Sequence, residues 1–296
     1  MVSLKSALSS QEKPALLIGN GINIHGGNGT SNWDGLLDKL ARRQGLEFTS
    51  SEREEMSNTE FFDILDLAKP YEDRETLQSE FCDLMKTWQP TRHHERIANW
   101  ALRNKRPIVT VNFDENFSRS INADFYRSSK GFTDFYPWSS YFSDRRILRP
   151  REEFAIWHAH GMMRYRRSIR LGLTHYMGAV QRARAWVYSV ENSLRARKKL
   201  GAIDWQGSDT WLDILFFSPV LIFGFSFGKD ENFMRWLFLE RAKLQKIASI
   251  QSGETWFVEK KSQNSLNRKA FFERLGMRFI TVESYAEIYE DPAWML

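Results

Sequence analysis

Cysteine is nearly missing from this 296-residue chain: Cys82 is the single one. One thiol excludes an intramolecular disulfide and a zinc cage built from several cysteines, and it fits a reducing compartment such as the cytoplasm. No apolar run reaches the ~18 residues of a membrane-spanning helix. The opening MVSLKSALSSQEKP is too polar for a secretory signal, so a cytoplasmic chain with no membrane partner is expected. No internal repeat, low-complexity tract or flexible linker stands out, which leads us to expect one domain over residues 1–296. Charge of neither sign dominates: 42 Lys+Arg against 37 Asp+Glu give +5, which favours an anionic ligand without demanding nucleic acid. Two nucleotide motifs are also lacking. GGNGTS (26–31) has no lysine for a P-loop, and a dehydrogenase fingerprint would need glycine where Ile24 stands and an acid ending the second strand. The nearest acids, Asp34 and Asp38, fall on the first long helical segment instead, so ATP hydrolysis and hydride transfer lose support.

Aromatic residues, by contrast, are many: 11 Trp and 22 Phe imply broad aromatic packing or an assembly surface. Four short apolar runs, ALLIG (15–19), PIVTVNFD (107–114), FAIWHAHG (154–161) and PVLIFGFSF (219–227), read as buried parallel strands, followed by ETWFV (254–258) and MRFITV (277–282). Between them, apolar residues recur at helical spacing: Trp33, Leu36, Leu37 and Leu40; then Phe61, Phe62 and Leu65; then a segment over 75–88. The alternation predicts an α/β fold with a doubly wound parallel sheet, Rossmann-like, with ligands at the carboxyl ends of the strands. The sheet core is expected over approximately 14–35, 105–162 and 216–285. Helical insertions are expected over approximately 36–104 and 163–215, the second rich in Arg and Trp.

Four strand ends carry polar or glycine residues suited to chemistry. Gly19-Asn20-Gly21 follows the first strand directly, where glycines let backbone N–H groups approach a pyrophosphate; an ordinary strand-to-helix turn explains them equally. TVNFD sets Asn112 and Asp114 two apart, hence on one side if the strand persists, as binding groups or, for Asp114, as a helix cap. WHAHG puts His158 and His160 on one face, and His160 at the strand end can serve as a general base, whereas His158 reads as a hydrogen-bonded core residue. FGFSFGKDENF offers Gly224, Ser226, Gly228 and Asp230, either as space and hydroxyl for a sugar or as a turn before a capped helix.

Taken in order, GNGIN…NWDGLL, TVNFD, WHAHG and FGFSF…D resemble the sequence marks of the sirtuin (silent information regulator) superfamily, and more closely its bacterial antiphage branch of NAD+ hydrolases. The resemblance spans about residues 14 to 260, outside the helical insertions, and implies a sirtuin-type sheet. It implies that Gly19, Asn20 and Gly21, with Asn23, Trp33 and Asp34 of the same segment, bind NAD+, the glycine turn holding the pyrophosphate. Asn112 and Asp114 would hold the nicotinamide ribose and carboxamide, His160 would be the catalytic base, and Gly224, Ser226 and Asp230 would face the adenosine half. Asn20 departs from the alanine usual in the family. Trp33-Asp34 stands near where deacetylating members carry Phe-Arg, and the four-cysteine zinc module is missing, which turns the expectation from deacetylation to plain glycosidic cleavage with no metal.

The resemblance further implies a homo-oligomer that depletes NAD+ during phage infection, and in related two-component systems a partner such as a HerA-type ATPase. A rival reading takes the basic runs RRILRPR (145–151), RYRRSIR (164–170) and RARKK (195–199), interleaved with aromatics, as a nucleic-acid surface. A third keeps the NAD+ or ADP-ribose pocket as a sensor without chemistry.

Overall fold

The computed structural model of the chain describes residues 2–27, 32–69, 74–127, 136–195, 205–228, 231–248, 253–263 and 266–296. In chain order its elements are α1 (Leu4–Leu8), β1 (Ala15–Ile18), α2 (Gly21–His25), α3 (Trp33–Arg43), α4 (Ser50–Glu54), α5 (Asn58–Leu67), α6 (Arg74–Leu84), α7 (Arg92–Arg103) and β2 (Ile108–Thr110). There follow α8 (Asn116–Ser120), β3 (Asp124–Tyr126), β4 (Tyr141–Ser143), β5 (Ile156–His158), α9 (Leu173–Arg195), α10 (Trp211–Phe217) and β6 (Val220–Phe223). The chain closes with α11 (Asn232–Ala248), β7 (Thr255–Lys260), α12 (Leu266–Arg274), β8 (Met277–Val282) and α13 (Ala286–Tyr289).

The eight strands form one sheet in the order β3-β4-β5-β2-β1-β6-β7-β8. From β5 to β8 every pairing is parallel, and β3 and β4 add an antiparallel edge. The strands read as near-continuous apolar runs because both faces of the sheet are covered. In β1 the side chains alternate: Ala15 and Leu17 join one apolar cluster with Val109, Trp157 and Ile222, against Ala179 and Ala183 of α9 and Phe233 of α11. Leu16 and Ile18 join the other, with Ile108, Ile156 and Phe223, against Ile97 and Trp100 of α7 and Ile288 of α13. Rossmann-like layering of helix, sheet and helix is the result. A third cluster lies outside the sheet, where Leu37, Phe61, Phe81 and Cys82 of the helices between β1 and β2 meet Phe113, Ile169 and Leu171. The Arg- and Trp-containing helix α9 packs directly on the sheet's own core.

Two local expectations differ from the structure. The second strand stops at Thr110, short of Asn112 and Asp114. The Thr110 hydroxyl donates to the Ile18 carbonyl at 3.0 Å and accepts the Asn112 N–H at 3.1 Å, so a side chain replaces the ladder and turns the chain out of the sheet. Asn112 and Asp114 therefore owe their positions to a loop and not to strand pleating. The antiparallel edge of β3 and β4 was not anticipated, because three-residue strands carry almost no alternation to read. No helix among the described residues is long and apolar enough to cross a membrane.

Candidate functional site

β1 is the point at which the winding reverses. Its sequence successor β2 lies on one side and β6, reached after the β5 crossover, lies on the other. At such a switch point the loops leaving the two strands part and open a crevice at their carboxyl ends. Here the glycines bring those loops together. Gly19 N–H donates to Phe223 O at 3.2 Å and Gly21 N–H to Gly224 O at 2.8 Å. A Cβ on Gly21 would lie 2.6 Å from the Tyr289 hydroxyl and 2.7 Å from Gly224 Cα, and Gly224 itself has φ +63°. Only glycine permits this crossing of two turns over one tyrosine.

A cavity of about 500 Å³ opens at that crossing, within the range typical of small-molecule sites. Asn20, Gly21, Gly224 and Ser226 line it at the turn; Trp33, Asp34, Asn112 and Asp114 line it on the β2 side. Its walls differ in chemistry. Leu36, Phe81, Met85, Trp88 and Phe113 make one part apolar, while Glu259, Lys260 and Arg268, from the end of β7 and from α12, make another charged. Gly19 and Asn23 lie behind the wall, and Asp230 lies outside the described residues.

Asn23 connects two of the motifs. Its amide donates to Asp114 Oδ2 at 2.8 Å and accepts from Asn116 Nδ2 at 3.1 Å, while Asp114 Oδ1 accepts the Asn116 N–H at 3.0 Å. Burial raises the Asp114 carboxyl above its ordinary range, and the hydrogen bonds from Asn116 and Asn23 oppose that rise. Both oxygens of Asp114 thus have local work, but the N-cap of α8 is Glu115 and not Asp114, whose Oδ1 closes a local turn onto Asn116 one residue earlier. Asn112 donates its amide to Gly19 O at 3.3 Å, tying the β2 loop to the first glycine. Asp34 sits at the rim, paired with Arg53 at 3.3 Å. The indole N–H of Trp33 is buried and makes no hydrogen bond within the protein, and its ring meets Phe113 edge-on at 5.5 Å.

β5 stops at His158, two residues short of His160, so strand pleating does not set the two histidines on one face as the spacing in WHAHG predicts, and both are buried. His158 donates Nδ1–H to Asn112 O at 2.9 Å and is fully enclosed. His160 is also fully enclosed and does not line the cavity; Tyr176 and Glu231, which do, stand against it. The Tyr176 hydroxyl is 3.4 Å from His160 Nδ1, and Glu231 Oε2 is 3.9 Å from Nε2. Burial, and next the Arg170 guanidinium, lower the His160 pKa to about 3, so its imidazole is neutral at pH 7. Gly161 makes the bend after it. At φ +95° a Cβ there would fall 2.1 Å from Ser168 O, and Arg170 N–H closes the loop by donating to His160 O at 3.0 Å.

Glu231 and Glu259 are two acidic wall residues the sequence motifs did not single out. Glu231 follows Asp230 by one position and gave no separate signal. Glu259 is the last residue but one of β7, a strand recognised only by its apolar run; its carboxylate is buried, makes no hydrogen bond within the protein and lies 3.4 Å from Arg268. An acid closing an otherwise apolar strand was the available sign.

The basic runs are only partly engaged within the molecule: Arg145, Arg146, Arg149 and Arg167 are exposed, and others are paired. Arg164 pairs with Glu115, Arg166 with Asp83 and Arg151 with Asp213, while buried Arg170 donates to Ala159 O. Most of RARKK lies outside the described residues. The chain matches no protein-family model and no curated protein.

Proposed function

We propose that this chain is a cytoplasmic NAD+ glycohydrolase of the sirtuin-like kind. Water replaces nicotinamide on the ribose, giving nicotinamide, ADP-ribose and a proton, and in an infected cell the loss of NAD+ would act as an antiphage effector. The observation that carries this reading is a cavity of about 500 Å³ that the glycine crossing, Asn112 and the charged end of β7 line together. Asn20 and Ser226 beside the crossing would meet a pyrophosphate, Asn112 a ribose, and the end of β7 the second ribose of a dinucleotide. Asn112 would orient the nicotinamide ribose, and Trp33 with the apolar wall would shelter the nicotinamide. Glu259 would accept the adenosine ribose hydroxyls through its buried oxygens.

The bond to break joins a neutral leaving group to a ribose that becomes oxocarbenium-like. Positioned negative charge and a proton acceptor are the help it needs. Glu231, on the wall and 3.9 Å from His160 Nε2, supplies the charge. His160, a weak base while enclosed with its pKa lowered to about 3, would accept the proton of water or of a ribose hydroxyl once Glu231 yields access to Nε2 and the entry of water removes the burial that lowers it. Incubation of the purified chain with NAD+ and chromatography of nicotinamide tests the reading. His160→Ala is expected to lower turnover about 10²–10⁴-fold, and Asn112→Ala to lower it through lost orientation of the ribose; variants that turn over as fast as wild type would refute the roles assigned.

One observation favours a second reading, in which the pocket binds NAD+ or ADP-ribose as a sensor without cleaving it: His160 stands behind the wall and not on it. Calorimetric binding of NAD+ with no nicotinamide released selects that alternative. Exposed Met177 and Tyr188 on α9 are where a second copy, or an infection-sensing ATPase of the HerA type, would be sought.

A further inference from the structure

Three side chains distant in sequence meet beside the outer end of α2. His25 Nε2 is 3.2 Å from Glu290 Oε1, His93 Nε2 is 4.0 Å from the same oxygen, and one ligand atom from each residue falls within 4.8 Å of the other two. His25 ends the helix that begins at the glycine crossing and lines the cavity. His93 lies in the first turn of α7, and Glu290 directly follows α13.

We propose that His25, His93 and Glu290 form a binding site for a divalent transition metal of the zinc type. The donor set is two imidazoles and one carboxylate, which suits Zn²⁺ and Co²⁺ and is poor for Mg²⁺ or Ca²⁺. The orientation of His93 is the second argument. Its Nδ1 faces the Tyr289 carbonyl at 3.3 Å and donates to it, which leaves Nε2 with its lone pair toward His25 and Glu290. Metal-binding histidines are held in this way, the far nitrogen donating to a carbonyl that fixes tautomer and ring plane. His25 stacks on the Tyr289 ring at 5.1 Å, so both imidazoles are positioned by one residue. Ligand atoms around tetrahedral zinc stand roughly 3.4 Å apart, given bonds of about 2.0–2.2 Å. The 3.2 Å edge already meets that spacing, and the other two edges need only side-chain rotation. Three protein ligands leave a fourth position beside the cavity rim.

One charge now satisfies Glu290 from outside the set. Arg92 Nη2 is 3.5 Å from Glu290 Oε1, and its side chain is 70% exposed, free to swing into solvent. A metal and Arg92 would compete for the same carboxylate, which separates this proposal from a simple ion-pair cluster. The consequence for the molecule is a tie between α2, α7 and the segment after α13, on the opposite end of α2 from the glycine crossing. The inference does not depend on what the cavity binds.

The test uses the full chain, stripped with a chelator and titrated with Zn²⁺ and with Co²⁺. Expected are one equivalent per chain, a visible Co²⁺ spectrum of four-coordinate type, and a thermal midpoint that rises with Zn²⁺. Glu290→Gln and His25→Ala, both at partly exposed positions, should weaken binding at least about 10–100-fold and abolish the thermal shift. Arg92→Gln should tighten binding. No stoichiometric binding, binding unaffected by Glu290→Gln and His25→Ala, or weaker binding in Arg92→Gln would each overturn the proposal.

Discussion

At the scale of single residues, the glycine crossing makes the sharpest demand. A methyl group on Gly224 would meet the Tyr289 hydroxyl at 2.4 Å, with the next contact at 3.3 Å, and it would also hold a left-handed backbone. Gly224→Ala is therefore expected to destabilise the protein by about 2–4 kcal/mol, part overpacking and part backbone. Tyr289→Phe in the same chain should recover the overpacking part and leave about 1–2 kcal/mol. Urea unfolding of the two single variants and the double variant measures this; additive effects would show that the hydroxyl is not the obstacle. Asn20, which departs from the small residue of the resemblance, lines the same cavity, and its Oδ1 accepts from Asn23 Nδ2 at 3.0 Å.

At the scale of elements, α2 is held at both ends by residues from elsewhere in the chain. Asn23 fastens it to the loop after β2 through Asp114 and Asn116. Asn23→Ala would leave a buried carboxylate oxygen and a buried amide without their partners, a loss of about 1–3 kcal/mol. Thermal denaturation should report this, and the cavity should lose affinity for its ligand at the same time; full stability in the variant would mean that the network is not structural. The helix itself was legible only as glycines followed by polar residues. Its role as a strut between motifs was not, since Asn23 and Asp114 are 91 positions apart. The inner parallel strands were legible because they are covered on both faces and so read as apolar runs, whereas β8 at the sheet edge mixes buried with exposed positions.

For the molecule as a whole, buried histidines set the acid limit. Burial lowers His94 and His160 to about 3 and His175 to about 4, from an ordinary 6.5. Two of them accept backbone N–H groups on Nδ1: His94 from Thr91, in the cap of α7, and His175 from Leu171 and Gly172. The unfolded chain binds protons at these sites below pH 6.5 and the folded chain does not, so stability is full above that pH and falls as acid is added. Asp213 works the other way. Burial raises it to about 6, so the folded chain keeps its proton between there and 3.8, and its cost to folding is relieved on acidification. Taken alone, these three sites against one would take up about two protons on unfolding near pH 5, roughly 3 kcal/mol per pH unit; lowered His158 and His93 add to that slope, and raised Asp63, Asp114 and Glu259 oppose it. Urea midpoints between pH 7.5 and 5 give the slope. His94→Gln keeps the acceptor that the α7 cap requires and should remove about one proton from it while leaving stability at pH 7.5 nearly unchanged.

Local order in the sequence determined the apolar strands, their covered faces, the amphipathic helices and the four motifs at strand ends, because each depends on residues within a few positions of one another. Tertiary structure alone decided which of those ends share a wall. It set Asn112 and Asp114 there by a threonine that ends a strand early, kept His160 behind Tyr176 and Glu231, and brought positions 25, 93 and 290 to one point. Such meetings depend on loop paths and on packing between elements far apart along the chain, and spacing in a sequence carries no measure of either.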